Sequence, residues 1–366
     1  MDRVRIGVIG TGQIGKHHLE QYSKIPQAHV LAVADIDEAE ARRVAGKYQI
    51  PDVYTDFRQL LARQDIDAVD VCLHNNYHAP VTIEALRAGK HVYCEKPMAG
   101  SYADAAAMLV ESRKCGRKLS IQLSTLFARN TRTALRLIQE GKLGRIYHVR
   151  SAGWRRRGRP FVDGYGTKFF VQKPVSAGGA LFDMGVYHIA QLLYLLGLPA
   201  IERVSGRVYQ ETALDAARAK EGQYSVEELG LGFVRLAGGV TMDIIEAWAV
   251  HMGRFEGSAI FGSQGGIRLE PFSYHSIAGD APLDATFDLE GADWRRHKLD
   301  PDQECYDSPQ HHWVAALQGR TELLPTAQIA LATMLISQGI YLSDSLGREV
   351  TAEEVVEKSV STALKV

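Results

Sequence analysis

Residues 6–18, Ile6-Gly7-Val8-Ile9-Gly10-Thr11-Gly12-Gln13-Ile14-Gly15-Lys16-His17-His18, pass from a short apolar strand through three glycines into helical spacing. A G-x-G-x-x-G order counts only in that strand-turn-helix setting. Gly10 permits the tight turn, Gly12 lets the backbone approach a pyrophosphate, and Gly15 lets the helix pack closely on the sheet. Gln13 and Ile14 stand in the first helical turn, whose N–H groups and positive partial charge suit phosphate. Asp35 closes the next apolar run about twenty residues on, where a carboxylate accepts a ribose 2′-hydroxyl and repels a 2′-phosphate. The motif therefore points to a dinucleotide, with NAD preferred over NADP. A glycine turn that only joins strand to helix, or an Asp35 that only belongs to a solvated turn with Asp37 and Glu38, explains each part but not their arrangement.

Outward from this motif, brief apolar runs at 30–34, 69–73 and 91–94 alternate with helical spacing at 14–23, 37–48 and 80–88. Such alternation means a parallel sheet covered on both faces. Gly89 stops one helix, Ser101 with Asp104 caps the next, and Gly116 ends it. From about residue 145 the pattern changes to longer strands at 145–154, 201–209, 226–236 and 240–250, the last two joined as a hairpin across Ala237-Gly238-Gly239. Helices are expected at 183–196, 311–317 and 328–342, and irregular strands and loops over 271–302. The expected architecture is an α/β Rossmann domain over residues 1–124, followed by an α+β domain with an open, mainly antiparallel sheet over 125–366. The C-terminal helices are expected to pack back on the first domain, His312 and Trp313 at the boundary.

Composition narrows the partners. The 366 residues carry 42 Lys and Arg against 43 Asp and Glu, a formal charge of -1 that gives no reason to expect nucleic acid or a membrane surface. Cys72, Cys94, Cys115 and Cys305 form no Cys-x-x-Cys pair, which fits free thiols in a reducing, cytoplasmic setting. The N-terminus carries charge at Asp2, Arg3 and Arg5 in place of a signal-peptide apolar region, and no apolar run approaches the roughly 20 residues needed to span a bilayer.

Two polar clusters end the fourth and fifth strands, Cys72-Leu73-His74-Asn75-Asn76-Tyr77-His78 and Tyr93-Cys94-Glu95-Lys96-Pro97. Ligands of an open parallel sheet bind outside the carboxyl ends of its strands, so both clusters fall where a nicotinamide would lie. Pro97 cannot continue the ladder, and the Lys96-Pro97 bond is a candidate cis peptide. His74 and His78 have i, i+4 spacing but no carboxylate or cysteine at ligand spacing, so no metal is expected. His17 and His18 are read as surface or packing residues.

With the glycine motif, these clusters resemble the glucose-fructose oxidoreductase, inositol dehydrogenase and MocA (Gfo/Idh/MocA) family over nearly the whole chain. A second motif of that family is matched by Gly178-Gly179-Ala180-Leu181-Phe182-Asp183-Met184-Gly185-Val186-Tyr187. The resemblance implies that Lys96 is an active-site residue, that Asn75, His78 and Glu95 serve the cofactor site, and that Asp183 orients substrate hydroxyls or holds Lys96. It also implies a second domain used for assembly into a homo-dimer or homo-tetramer. Tyr187 stands where the common form of the motif has histidine, and His188 follows at once. Asp183 and Tyr187 share a helical face while His188 is turned by about 100 degrees, so the acid/base stays open between the two.

An alcohol carbon gives up hydride only as its hydroxyl loses a proton, so the site needs a base near the substrate oxygen. Lys96 either serves as that base in neutral form, or stays ammonium and polarises the oxygen while lowering the Tyr187 pKa. Trp154-Arg155-Arg156-Arg157-Gly158-Arg159 resembles the loop of relatives acting on sugars and glycosides, which makes Trp154 and Arg157 substrate candidates. The expected function is an NAD-dependent oxidoreductase of a sugar, polyol or glycoside hydroxyl. Its alternatives are a glycosidase that oxidises transiently and eliminates, an enzyme holding NAD tightly and recycling it with a second sugar, and a non-catalytic dinucleotide-binding regulator.

Overall fold

The computed structural model describes residues 3–253 and 256–366. Its first layer is built of β1 (Val4–Ile9), α1 (Gln13–Tyr22), β2 (Ala28–Ala34), α2 (Glu38–Tyr48), β3 (Asp52–Tyr54), α3 (Phe57–Leu61), β4 (Ala68–Val71), α4 (Asn75–Arg87), β5 (His91–Cys94), α5 (Tyr102–Cys115) and β6 (Leu119–Ile121). The strands form a six-stranded parallel sheet in the order β3-β2-β1-β4-β5-β6. Ile6, Val8, Val33, Val69, Val71 and Val92 are buried because helices cover both faces. The strand order reverses beside β1, which opens a crevice between the turns after β1 and β4. Ser101 accepts the Asp104 N–H to cap α5, and Gly116 ends it in the left-handed region, as the sequence implied.

The second layer begins with α6 (Arg129–Gln139), β7 (Ile146–Trp154), α7 (Lys173–Ser176), α8 (Val186–Leu195), β8 (Ile201–Tyr209), α9 (Ala216–Gly222), β9 (Leu229–Leu236) and β10 (Val240–Ala247). It continues with β11 (Ala259–Gly262), β12 (Gly265–Arg268), β13 (Ser273–Ala278), β14 (Ala281–Thr286), α10 (Leu289–Leu299), α11 (Pro309–Gln318), α12 (Thr326–Leu346), β15 (Val350–Thr351) and α13 (Ala352–Lys358). Nine strands pair in the order β14-β13-β12-β11-β7-β10-β9-β8-β15, all antiparallel except β7 with β10. Val149, Val234, Met242 and Ile244 face inward, in one apolar core with α8, α12 and the parallel sheet.

The structure corrects two expectations. Residues 271–302 are not irregular: β13 and β14 form a hairpin turned by Gly279 and Asp280, both at positive φ, and Asp288 caps α10 through the Gly291 N–H. The last long helix is also longer than the apolar spacing suggested. α12 has 21 residues and is apolar enough, by length and composition alone, to cross a bilayer. Here it packs against β8, α8 and α5, and Ile329, Met334, Ile336 and Ile340 are buried in the shared core.

Candidate active site

The turn after β1 has the geometry that its glycines demand. Gly10 has φ of 97°, and a Cβ there would lie 2.3 Å from the Cys72 carbonyl oxygen. A Cβ at Gly15 would lie 2.0 Å from the Gly10 carbonyl oxygen, so helix and turn touch through hydrogen alone. At Gly12 nothing stands within 4 Å, and α1 starts there without a side-chain cap, leaving its first N–H groups to an anion. Asp35 Oδ2 accepts from the Thr11 N–H at 2.7 Å and from the Thr11 hydroxyl at 2.9 Å, while Oδ1 accepts from the Asp37 N–H. The residues present fit a dinucleotide: an open glycine face, unpaired helix N–H groups, and a carboxylate fixed at the end of β2.

Across the crevice, β5 carries Lys96 to the second layer. The Lys96-Pro97 peptide is cis, as anticipated. Lys96 Nζ donates to both the backbone oxygen and Oδ1 of Asp183, each at 2.9 Å, and sits 4.7 Å from the centre of the Tyr187 ring. Asp183 Oδ2 accepts from Trp248 Nε1 at 2.9 Å, and Arg155 approaches it to 3.9 Å. Residues Leu181–Gly185 wind as a π-turn before α8, and Asp183 and Tyr187 meet the same lysine. Burial disfavours the charged lysine, but the adjacent Asp183 and Glu95 carboxylates outweigh it and raise the Lys96 pKa. The same pairing lowers that of Asp183 in spite of burial. Lys96 is therefore an ammonium in the resting protein. Burial also raises the Tyr187 pKa against the opposing pull of Lys96, so the phenol stays protonated.

His188 is paired with β10. Its Nδ1 lies 3.0 Å from both oxygens of Glu246, which is fully buried and accepts from the Ser151 hydroxyl at 2.9 Å. Burial would lower the His188 pKa, but the Glu246 charge and hydrogen bond raise it. A Cβ on Gly153 would come 2.2 Å from His188 Cε1 and 2.5 Å from Glu246 Oε2, so glycine at that position is what leaves room for the pair.

The remaining candidates are placed as follows. Asn75 donates its amide to the Ser176 carbonyl oxygen at 2.6 Å, which ties the start of α4 to α7. His78 is buried between the carbonyl oxygens of Leu73 and Pro97, joining the segments that follow β4 and β5. Glu95 is turned inward: Oε1 meets His18 Nε2 at 2.8 Å and Oε2 accepts from the Lys96 N–H at 2.9 Å. Trp154 ends β7, whereas Arg157 is mostly exposed and paired with Asp163 at 3.1 Å. Arg155, not Arg157, stands beside Asp183, and its guanidinium donates to the Tyr165 hydroxyl. Sequence spacing did not single out Arg155, Tyr165, Trp248, Glu246, His18 or Asp70. Trp248 directly follows β10 and is 65 residues from Asp183, so only the fold brings the two together. Among the described residues, His18, Asp70 and Cys72 form a group within metal-ligand reach of one another, but their atoms are hydrogen-bonded among themselves.

Residues 4–123 match the family described as "Oxidoreductase family, NAD-binding Rossmann fold" (GFO_IDH_MocA), and residues 131–268 match the "GFO/IDH/MocA C-terminal domain". The chain is 31% identical over 255 residues to the D-glucoside 3-dehydrogenase of Escherichia coli, an alignment covering 68% of this chain and 71% of that one. The chain belongs to the Gfo/Idh/MocA family. It is an oxidoreductase with an NAD-binding Rossmann fold. A second relative is the glycosyl hydrolase family 109 protein of Shewanella putrefaciens, 30% identical over 161 residues, 42% of this chain and 35% of that one. The fold recurs in an oxidoreductase from Agrobacterium radiobacter, solved with NAD+, L-tartaric acid and magnesium. That structure superposes with a TM-score of 0.77 at 19% identity, covering 96% of this chain and 99% of that one.

Proposed function

We propose that this protein is a reversible NAD-dependent dehydrogenase of a secondary hydroxyl on a sugar, polyol or glycoside. The observation that carries the proposal is Lys96 Nζ, held 2.9 Å from Asp183 Oδ1 at the carboxyl edge of the parallel sheet that also bears the dinucleotide turn. Bound NAD supplies the hydride acceptor. The chain's own part is to fix and polarise the hydroxyl. Two Lys96 N–H bonds go to Asp183 and a third remains for a substrate oxygen, where positive charge stabilises the developing alkoxide. Tyr187, in contact with Lys96, is the group assigned to relay the proton, its phenol oxygen taking the hydroxyl proton of the substrate as its own proton passes on to solvent. Trp248 holds Asp183, and Arg155 faces the same carboxylate, in position for a second substrate hydroxyl. Asp35 supports a preference for NAD over NADP.

A panel of sugars, inositols and glycosides with NAD and with NADP tests this, nicotinamide absorbance and product mass being read together. Net reduction of NAD with a ketone product is expected, and no turnover on any alcohol with either cofactor would overturn the proposal. The likeness to a glycosyl hydrolase supports a second reading, transient oxidation followed by elimination. Cleavage of an aryl glycoside with no net absorbance change would favour it. Exposed Phe233 and Phe261 on the nine-stranded sheet support assembly into a homo-dimer or homo-tetramer, and sedimentation measures it.

A further inference from the structure

Beneath the site lies a buried array that the reaction above does not use. His18 on α1 is fully buried, and each of its ring nitrogens meets a carboxylate: Nδ1 lies 2.8 Å from Asp70 Oδ2 on β4, and Nε2 lies 2.8 Å from Glu95 Oε1 on β5. Asp70 also accepts from the Cys72 thiol at 3.3 Å, and the second Glu95 oxygen accepts from the Lys96 N–H at 2.9 Å. Tyr22 from α1, Tyr93 from β5 and the exposed His17 are the other titratable groups around the ring, with Lys96 beyond Glu95.

A neutral imidazole has one N–H and one lone pair. Between two ionised carboxylates that lone pair would face an oxygen lone pair at 2.8 Å with no water to intervene, an arrangement that burial makes costly. Both contacts become hydrogen bonds only if the three groups share one further proton. The ring is the more basic site, at roughly 6.5 against about 4 for a carboxyl, and two flanking anions favour the charged ring further. Burial acts against the charge on His18, yet the Asp70 carboxylate outweighs it and moves the pKa well upward. Glu95 is likewise lowered in spite of burial, by its bond to His18.

We propose that His18 is held as an imidazolium between Asp70 and Glu95, and that through Glu95 it positions Lys96. The array joins the helix whose first turn faces the dinucleotide to the strand end that carries the lysine. Misplacing a reacting group by about 1 Å costs on the order of a hundredfold in rate. The positioning half of the proposal rests on the assigned role of Lys96; the charge of His18 does not.

The charge is read in the resting, unmutated protein. With 15N-labelled histidine, long-range 1H–15N correlations at about pH 8, above the ordinary value of roughly 6.5, are expected to show both His18 nitrogens protonated. His18→Gln identifies the signal by its loss. One protonated and one unprotonated nitrogen would overturn the imidazolium. For positioning, Asp70→Asn and His18→Gln are expected to lower kcat on the order of ten- to hundredfold, with KM for NAD within about twofold. Asp70→Asn, which removes one of the two flanking anions, is also expected to lower the His18 pKa and to give the kcat profile a new limb that the parent lacks. An unchanged kcat, or a loss confined to KM for NAD, would overturn the positioning role. If Lys96→Met keeps full turnover, the lysine's role falls while the resonance result stands by itself.

Discussion

Lys96 is held by its neighbours, with Nζ bonded twice to Asp183 and set against the Tyr187 ring. Two of its N–H bonds are occupied by Asp183, and that carboxylate raises its pKa in spite of burial, which supports the proposed part of a polarising ammonium over that of a base. Lys96→Met is expected to lower kcat by about a thousandfold or more while NAD still binds, as read by turnover and by fluorescence titration. Lys96→Arg should not restore it, because a planar guanidinium cannot keep the same bonds to Asp183. Tyr187→Phe is expected to cost about a hundredfold or more in kcat, and His188→Asn much less; the reverse order would transfer the proton to His188. His188 itself makes a stability prediction. Its folded pKa is raised by Glu246, so the pair's contribution is complete below the unfolded value of roughly 6.5 and is lost as pH rises through the folded value. The melting temperature of the parent, relative to His188→Asn, should therefore decline across that window. Lys96, Asp183 and the glycines were legible because their chemistry sits in contiguous motifs. Asp70 and His18 were not, since 52 residues separate them and only the sheet brings them together.

Elements were legible where local periodicity and tertiary packing agree. The first layer reads directly because short β-branched runs buried on both faces leave little choice of partner. The β13–β14 hairpin was missed although Gly279-Asp280 is a two-residue turn of the favoured kind, because its flanking strands alternate weakly and β14 is largely exposed. The turn at Leu181–Gly185 was read as the start of an ordinary helix, since a π-turn leaves no mark in apolar spacing. Gly153 on β7 offers a test at this scale. Gly153→Ala would press a methyl against His188 and Glu246, and we expect a loss of about 1–3 kcal/mol by thermal or denaturant unfolding. If Tyr187 carries the proton, kcat should change far less than in Tyr187→Phe.

At the scale of the molecule, α12 decides whether the two sheets behave as one body. Its Thr326 hydroxyl accepts from the Ile121 N–H on β6 and pairs with Ser120, and Gln338 accepts the Tyr102 N–H at the start of α5. One residue along, Gly339 lies so close to β8 that a Cβ there would come 2.9 Å from Val204. The same helix thus closes an edge of the parallel sheet and fills the inner face of the nine-stranded one, within a single continuous apolar core. Unfolding either sheet would expose the side of α12 buried against the other, so a single calorimetric transition is expected. A ligand that binds only the folded state at about a hundred times its Kd adds about 2.7 kcal/mol, whichever layer it contacts. NAD, which would touch mainly the first layer, should therefore move the whole transition upward, and NADP less at equal concentration because of Asp35. Ile340→Ala, far from the dinucleotide turn, should lower the same transition by about 2–5 kcal/mol without splitting it. If NAD shifts only part of the heat absorbed, the two sheets unfold separately and α12 does not couple them.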